Sequence, residues 1–155
     1  MAGFQSPEGD LQQIFVTDYG MIDQFAATGT LWSCGNNGYG QLGINDQNHR
    51  SSPIQTVTYG TNWKLVAGGY YHTSAIKTDG TLWTWGYANY GELGNGTNNI
   101  YYSSPIQVGA LTNWKQVSCG ENHLTAIKTD GTLWAWGSNG YGQCANTSFD
   151  FSSNP

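Results

Sequence analysis

The chain has few charged residues. Asp, Glu, Lys and Arg make up 10% of its 155 residues, against about a quarter in an average globular protein. Five of them are Lys or Arg, spread singly along the sequence, and the formal net charge is -5. A protein that binds nucleic-acid phosphates needs a cluster of Lys and Arg on one surface, and the sequence shows no such cluster. We therefore expect no nucleic-acid partner.

Long apolar runs are also missing. No stretch approaches the 18 apolar residues that a membrane-spanning helix needs. The opening "MAGFQSPEGDLQQ" has neither the basic start nor the apolar run of a signal peptide. We therefore expect no membrane insertion, and a soluble cytoplasmic protein unless the chain is part of a larger particle.

The sequence has few of the residues and motifs that carry catalysis. Its three cysteines, Cys34, Cys119 and Cys144, are odd in number and match no CxxC spacing, so packed free thiols are expected. No nucleophile-elbow, zinc-protease or phosphate-loop motif occurs. His72 and His123 recur without a second ligand or nucleophile beside them. These absences argue against an enzyme, a cofactor and a metal site.

Glycine (22 residues), tryptophan (7) and tyrosine (10) are abundant instead. Strand-forming residues alternate with Gly, Asn and Ser, and no stretch keeps a helical period for more than two turns. "IKTDGTLWTWG", Ile76 to Gly86, returns as "IKTDGTLWAWG", Ile127 to Gly137, after 51 residues. The sequence therefore predicts an all-β protein built from repeats.

Three copies of the repeat are present. Shifting the chain by 51 residues superposes several positions in all three copies and further positions, including a histidine, in the last two. The superposed residues are Gly29, Gly80 and Gly131; Trp32, Trp83 and Trp134; Tyr39, Tyr90 and Tyr141; and His72 with His123.

The repeat divides the chain into an arm and three units. Residues 1–11 form an N-terminal arm, and residues 12–155 hold units at 12–62, 63–113 and 114–155. The first unit departs from the others in its opening half, as a capping repeat does, and the last ends inside its pattern.

One unit contains four predicted strands. In the second unit they are "WKLVAGG", "HTSAIKT", "TLWTWG" and "SSPIQV", the last with a proline suited to a sheet edge. Asp79-Gly80 and Asp130-Gly131 predict two-residue type I′ turns. Trp83 and Trp85 are two apart and should share one face. Four strands in about 50 residues are typical of a β-propeller blade.

The strings "GTLWTWGYANYGELG" and "VSCGENHLTAIKTDGTLWAWGSNGYGQC" resemble the repeat of the regulator-of-chromosome-condensation propellers. The shared features are the histidine, the Asp-Gly turn, the Trp-x-Trp-Gly strand and the glycine-rich loop after it. The resemblance extends over about residues 12–155. It implies a propeller in which His72 and His123 serve packing and hydrogen bonding.

Three blades are too few to close a ring, since propellers use about four to eight. The arm of residues 1–11 could donate a strand or make an assembly contact. The chain could also be part of a longer protein. We therefore expect extensive contact either with other protein chains of the same assembly, including self-association, or with sequence outside this chain.

The recurring loop tyrosines are the candidate interaction surface. Turned outward, they would form aromatic platforms for sugars or protein surfaces; turned inward, they would fill space between blades, which is the favoured interpretation. The candidate residues are Tyr39, Tyr90, Tyr141, Asn37, Asn89 and Asn139.

The expected function is a non-enzymatic structural or interaction module. The opening "MAGFQSPEGDLQQIFVTDYGMIDQF" resembles the start of virion-associated propeller proteins of tailed phages, which implies a capsid, tail or fibre component. Two alternatives remain open. One is a regulatory propeller acting on a small GTPase, and the other is a glycan-binding surface lectin.

Overall fold

The computed structural model describes residues 29–57 and 60–145, and all regular secondary structure in these ranges is β-strand. Nine strands occur there. They are β1 (Trp32–Gly35), β2 (Arg50–Gln55), β3 (Trp63–Gly68), β4 (His72–Lys77), β5 (Leu82–Ala88), β6 (Ile100–Gln107), β7 (Trp114–Cys119), β8 (His123–Lys128) and β9 (Leu133–Gly137).

The strands form three antiparallel sheets in which each strand pairs with its neighbour in sequence. The orders are β1-β2, β3-β4-β5-β6 and β7-β8-β9. The all-β prediction and the four-stranded blade are confirmed, with Pro105 on the edge strand β6. The arm of residues 1–11, the opening half of the first unit and the last "SSNP" lie outside the described residues.

The Asp-Gly turns differ from the prediction. The Gly80 N–H donates to Lys77 O (3.0 Å) and the Lys77 N–H donates to Thr81 O (3.0 Å), so the loop has three residues. Gly80 has a φ of +80°, whereas Asp79 does not have a positive φ. The two-residue type I′ turn is therefore wrong: the loop is an ordinary turn followed by a left-handed glycine. The Asp79 carboxylate accepts from the Thr81 N–H (2.9 Å) and hydroxyl (2.6 Å), which favours this longer loop. The same two contacts recur in the third sheet, between Asp130 and Thr132.

Two apolar cores lie between the sheets. Alternation along the strands sends one face of the second sheet to each core. Trp63 and Trp85 belong to the core shared with the first sheet, and Trp83 packs against it. The expectation that Trp83 and Trp85 share a face is confirmed, since both rings contact Trp63, with centroids 6.2 and 5.9 Å away. The core between the second and third sheets contains Ala67, Ile76, Leu82, Val108, Trp114, Val117, Leu124, Ala126 and Trp136.

A buried hydrogen bond also joins each sheet to the loop of the preceding one. The Trp85 indole N–H donates to Gln41 O (2.8 Å), and the Trp136 indole N–H donates to Glu92 O (2.9 Å). These two pairs are 51 residues apart, so the link belongs to the repeat. The sheets are thus joined by apolar packing and by a bond that fixes the register of one blade on the next.

The other recurring residues lie at matching places in the sheets. His72 begins β4 and is 1% exposed, and its ring lies against Gly69, where a Cβ atom would collide with it. His123 begins β8 with its ring against Gly120 in the same way. In each repeat the first tryptophan of the third strand donates its indole N–H to the hydroxyl of the threonine two residues earlier. The pairs are Trp32 and Thr30, Trp83 and Thr81, and Trp134 and Thr132. Gly29 and Gly80 each lie where the backbone bonds to the first strand of the next sheet, at Trp63 and Trp114.

Candidate interaction surface

The loop after the third strand of each repeat holds its tyrosine in a fixed backbone position. The backbone N–H of the tyrosine donates to the side-chain oxygen of the residue two positions later. The pairs are Tyr39–Gln41 (3.0 Å), Tyr90–Glu92 (2.7 Å) and Tyr141–Gln143 (2.9 Å). Glu92 is the one carboxylate in this series, and burial raises its pKa although backbone N–H groups of Glu92 and Tyr90 oppose the shift.

The three loop tyrosines are exposed to different degrees. Tyr141 is 98% exposed, Tyr90 39% and Tyr39 36%. No sheet follows the loop of Tyr141 within the described residues, so the expectation that these tyrosines fill space between blades stays a prediction for Tyr141. Tyr39 combines both alternatives, because its ring packs on the second sheet and still reaches solvent.

The asparagines do not form an equivalent set at this surface. Asn37 and Asn139 are 0% and 1% exposed, and their side-chain oxygens accept from the backbone N–H groups of Leu42 (2.9 Å) and Cys144 (2.8 Å). They hold the loop together. In the second repeat this position is Ala88, and Asn89 is its neighbour. The expectation of one surface amide beside each tyrosine is therefore wrong.

Four tyrosines meet at the junction between the first and second sheets, and we call Tyr39, Tyr70, Tyr71 and Tyr87 the tyrosine cluster. The Tyr39 ring stacks on Tyr87 with centroids 4.8 Å apart and planes at 22°. Tyr39 also contacts Tyr71 at 4.6 Å, and Tyr71 contacts Tyr70 at 4.2 Å. Tyr70 is 45% exposed. The cluster is therefore a continuous aromatic surface and not a set of isolated rings.

Two residues next to the tyrosine cluster, Tyr101 and Asn89, add an aromatic ring and a polar group to it. Tyr101 on β6 lies opposite Tyr87 on β5 and is 50% exposed. The Tyr87 hydroxyl donates to the Asn89 side-chain oxygen (3.3 Å). A hydrogen bond with the Tyr70 hydroxyl, followed by desolvation, raises the pKa of the Tyr71 hydroxyl. The surface thus offers apolar ring faces together with hydroxyl groups that can form hydrogen bonds.

The equivalent junction between the second and third sheets has no such cluster. Glu121, Asn122 and Ser138 occupy the positions of Tyr70, Tyr71 and Tyr87 there. The backbone is nevertheless the same.

The matching bonds are Tyr87 N–H to Tyr71 O (2.8 Å) and Ser138 N–H to Asn122 O (2.7 Å). Because the same backbone bond forms between Ser138 and Asn122, the repeat does not require tyrosine at the positions of Tyr71 and Tyr87.

Sequence reasoning missed three of the four cluster tyrosines. Comparing repeats reveals residues that recur, and Tyr39 was found in this way. Tyr70, Tyr71 and Tyr87 occur in one repeat only, so the signal that could have found them is departure from the repeat. That signal has meaning only when the fold brings the departing residues together.

The described residues contain no group of three or more His, Cys, Asp or Glu side chains placed to hold a metal ion. The three cysteines are free thiols in the structure. His49 accepts the Asn37 backbone N–H at Nδ1 (2.9 Å) and so stabilises the first loop. Within the described ranges, no helix has the length and apolarity needed to cross a membrane.

The family follows from the repeat itself. The model of the regulator of chromosome condensation (RCC1) repeat matches residues 28–76 and 79–127, and a second model of the same repeat matches residues 63–92 and 114–143. These matches cover more than half of the chain. The chain belongs to the RCC1 repeat family. The resemblance inferred from the tryptophan and glycine pattern is thereby confirmed.

Relatives in this family have diverse functions. The chain is 37% identical over 118 residues to the ultraviolet-B receptor UVR8 of Arabidopsis thaliana, covering 74% of this chain and 27% of the receptor. It is 43% identical over 83 residues to the X-linked retinitis pigmentosa GTPase regulator homolog of Caenorhabditis elegans, covering 51% of this chain and 6% of that protein.

Among solved structures, the fold matches Prp20p of Saccharomyces cerevisiae with a TM-score of 0.72 at 20% identity. That match covers 80% of this chain and 32% of Prp20p, whose binding properties to Gsp1p and histones are described with its structure. The chain thus spans about a third of the length of these relatives, or less. Together the matches establish an RCC1-type propeller fold of the kind found in interaction and regulatory proteins.

Proposed function

We propose that the chain is a non-catalytic regulatory module that binds a protein partner through the tyrosine cluster. One observation carries this proposal. Tyrosines cluster at the surface where the first and second sheets meet, whereas the junction between the second and third sheets forms without tyrosine at the equivalent positions. Aromatic side chains, tyrosine among them, are enriched in protein interfaces and supply many of their energetically dominant contacts.

A small GTPase is the partner class with the most support. One relative is named as a GTPase regulator homolog, and the Prp20p structure is described with binding to Gsp1p. The virion hypothesis has less support, because it rests on residues 1–25, which lie outside the described residues. None of the three relatives above is a phage protein.

The test is a binding titration with a panel of purified small GTPases, both nucleotide-free and loaded with GDP. A Tyr39→Ala/Tyr87→Ala variant should weaken binding by about 30-fold, because it removes the stacked pair at the centre of the cluster. Tyr141→Ala is the matched control, since Tyr141 lies at the same repeat position as Tyr39 but is 98% exposed. The control should bind like the unmodified chain.

Three results would contradict the proposal in different ways. A chain that binds none of the GTPases would overturn the choice of partner class. Equal losses in the Tyr39/Tyr87 and Tyr141 variants would overturn the choice of surface. Tyrosine-dependent binding on a glycan array, with no protein partner, would favour the lectin alternative instead.

A further inference from the structure

Three Asn-Gly pairs occur in the sequence, each in the loop that follows the third strand of a repeat. They are Asn37-Gly38, Asn95-Gly96 and Asn139-Gly140. In such a pair the peptide nitrogen of the glycine can attack the side-chain carbonyl carbon of the asparagine, because glycine has no Cβ atom to hinder the approach. The same reactive pair therefore lies in three different surroundings.

The first pair is held inside its loop. Asn37 is 0% exposed, its side-chain oxygen accepts from the Leu42 N–H at 2.9 Å, and its amide nitrogen donates to Asp46 O at 2.8 Å. The Gly38 N–H, whose nitrogen would have to attack, donates to Asn36 Oδ1 at 3.0 Å. Both reacting groups are therefore already bonded to other partners.

The third pair is buried in the same way. Asn139 is 1% exposed, and its side-chain oxygen accepts from the Cys144 N–H at 2.8 Å. Removal of a side-chain amide consumes water, and burial keeps water away from this amide. The first and third pairs are therefore protected as long as their loops stay closed.

The second pair has neither kind of protection. Asn95 is half-buried in the loop between β5 and β6. Within the described residues, neither its amide nitrogen nor the Gly96 N–H has a hydrogen-bond partner. Its Oδ1 atom accepts from both the N–H (3.1 Å) and the hydroxyl (2.6 Å) of Thr97. Two donors on one carbonyl oxygen stabilise the negative charge that builds up there when the carbon is attacked.

The same turn occurs twice elsewhere in the chain with aspartate in place of Asn95. Asp79-Gly80-Thr81 and Asp130-Gly131-Thr132 have the matching sequence. In both, the aspartate Oδ1 accepts from the threonine N–H at 2.9 Å and from its hydroxyl at 2.6 or 2.7 Å. The central glycines have φ values of +80° and +86°, and Gly96 has +77°. An aspartate at position 95 therefore fits the turn that Asn95 already forms.

We propose that Asn95-Gly96 is a site of spontaneous deamidation, where the chain's own backbone and water replace the side-chain amide by a carboxylate. The Gly96 nitrogen gives its proton to hydroxide and attacks Cγ of Asn95. The Cγ–Nδ2 bond then breaks, and the amide nitrogen takes a proton from water and leaves as ammonia.

Water next opens the resulting cyclic imide at one of its two carbonyl carbons. Opening at Cγ breaks the new bond to the Gly96 nitrogen and gives aspartate, the residue that fits the turn. Opening at the main-chain carbonyl of residue 95 gives isoaspartate, which lengthens the backbone by one carbon. Each product carries one carboxylate where the amide was uncharged.

The reaction would make a chain of formal charge -5 more negative by one charge. Hydrogen bonds from Thr81 and Thr132 lower the pKa of the Asp79 and Asp130 carboxyl groups, so a carboxylate in this turn is charged at neutral pH. Asn95 is not part of the tyrosine cluster, and the proposal does not depend on the proposed partner.

The test incubates the purified full chain at mildly alkaline pH in water enriched in a heavy isotope of oxygen. Peptide mapping by mass spectrometry then follows the label at each pair. Asn95 should gain it at least about tenfold faster than Asn37 and Asn139, which react only when their loops open. In urea the three rates should become similar, because all three are Asn-Gly pairs.

Two variants test the role of the turn. Thr97→Val keeps the side-chain shape and the N–H but removes the hydroxyl, and it should slow labelling of Asn95 about fivefold. Asn95→Asp should leave the urea midpoint unchanged, because the turn accepts aspartate. Asn37→Asp is the matched control. It should lower the midpoint, because it replaces the amide donor to Asp46 O by a carboxylate.

Three results would overturn the proposal. One is an Asn95 that reacts no faster than Asn37 and Asn139 in the folded chain. A second is an unchanged or faster rate in Thr97→Val, which would show that the hydroxyl does not assist the attack. The third is an Asn95→Asp variant as destabilised as Asn37→Asp, which would show that the turn does not accept the product.

Discussion

The two junctions between sheets use the same backbone and different surfaces. In both, an indole N–H reaches the carbonyl of the preceding loop. In both, an N–H at the end of the repeat's third strand, from Tyr87 or Ser138, also bonds to the carbonyl of the residue before the second strand. The side chains around this backbone bond differ. They are Tyr70, Tyr71 and Tyr87 in the second repeat and Glu121, Asn122 and Ser138 in the third. The comparison separates residues that build the blade from residues that the blade is free to vary.

Freedom to vary is what makes the tyrosine cluster informative. The recurrence of Tyr39, Tyr90 and Tyr141 is explained by the loop structure that all three repeats share. Tyr71 and Tyr87 have no such explanation, because Asn122 and Ser138 allow the same backbone bonds. Exposed aromatic area that folding does not need is better explained by binding.

The largest effect should come from removing the indole that joins the sheets. Trp136→Ala takes a fully buried ring from the core and leaves Glu92 O without its donor. We expect a loss of about 3–5 kcal/mol in the free energy of unfolding, measured by urea denaturation. Trp85→Ala should have a similar cost at the other junction.

Trp134→Ala is the control for this prediction, because Trp134 lies two residues away and is 37% exposed. It should cost clearly less than either buried tryptophan. Equal costs at Trp134 and Trp136 would show that the indole bond and its core do not join the sheets.

The next effect concerns the equivalent histidines of the second and third sheets. Burial lowers the pKa of His72 from its usual 6.5 to about 4, and the charge of nearby His123 adds to the shift. The unfolded chain therefore binds this proton at higher pH than the folded chain does. Stability should be full above about pH 6.5 and should fall by about 3 kcal/mol as the pH drops to 4.

Urea denaturation at pH 7 and pH 4 measures this loss. His72→Gln should remove most of the difference that His72 contributes, whereas His123→Gln should leave it largely in place. The same pH dependence in the unmodified chain and in His72→Gln would contradict the assignment to His72.

A smaller effect on stability should come from the residue that differs between the two nearly identical segments, Ile76 to Gly86 and Ile127 to Gly137. Thr84 and Ala135 are the one difference between them. The Thr84 hydroxyl is buried and donates to Leu93 O at 2.8 Å, a bond that Ala135 cannot make. Thr84→Ala should cost about 1 kcal/mol in the free energy of unfolding. Thr84→Ser keeps the hydroxyl and should recover most of that loss, and an unchanged stability in Thr84→Ala would contradict this role.

Much of the fold could be predicted from the pattern of tryptophan, glycine and aspartate. The period, the strands and the shared face of Trp83 and Trp85 follow from alternation and recurrence. The turn could not be predicted, because Asp79-Gly80 suits both a two-residue and a three-residue loop. The backbone bonds of Lys77 decide between them.

The candidate surface was less predictable for a related reason. Recurrence identified Tyr39 but also suggested Tyr141, which touches no other described aromatic ring. Asn37 and Asn139 look like loop surface residues in the sequence, yet backbone bonding buries them. Which tyrosine rings contact each other depends on how the first and second sheets pack. That packing could not be predicted from the recurrence of residues along the sequence.

The most direct measurement exchanges the two junctions. A Tyr71→Asn/Tyr87→Ser variant gives the first junction the residues that the second already has at these positions. We predict that urea denaturation will find its free energy of unfolding within about 1 kcal/mol of the unmodified chain. Partner binding, measured in the same preparation, should be lost. A variant that binds its partner normally would show that Tyr71 and Tyr87 are not needed for recognition. A variant that loses several kcal/mol of stability would show that they serve the fold.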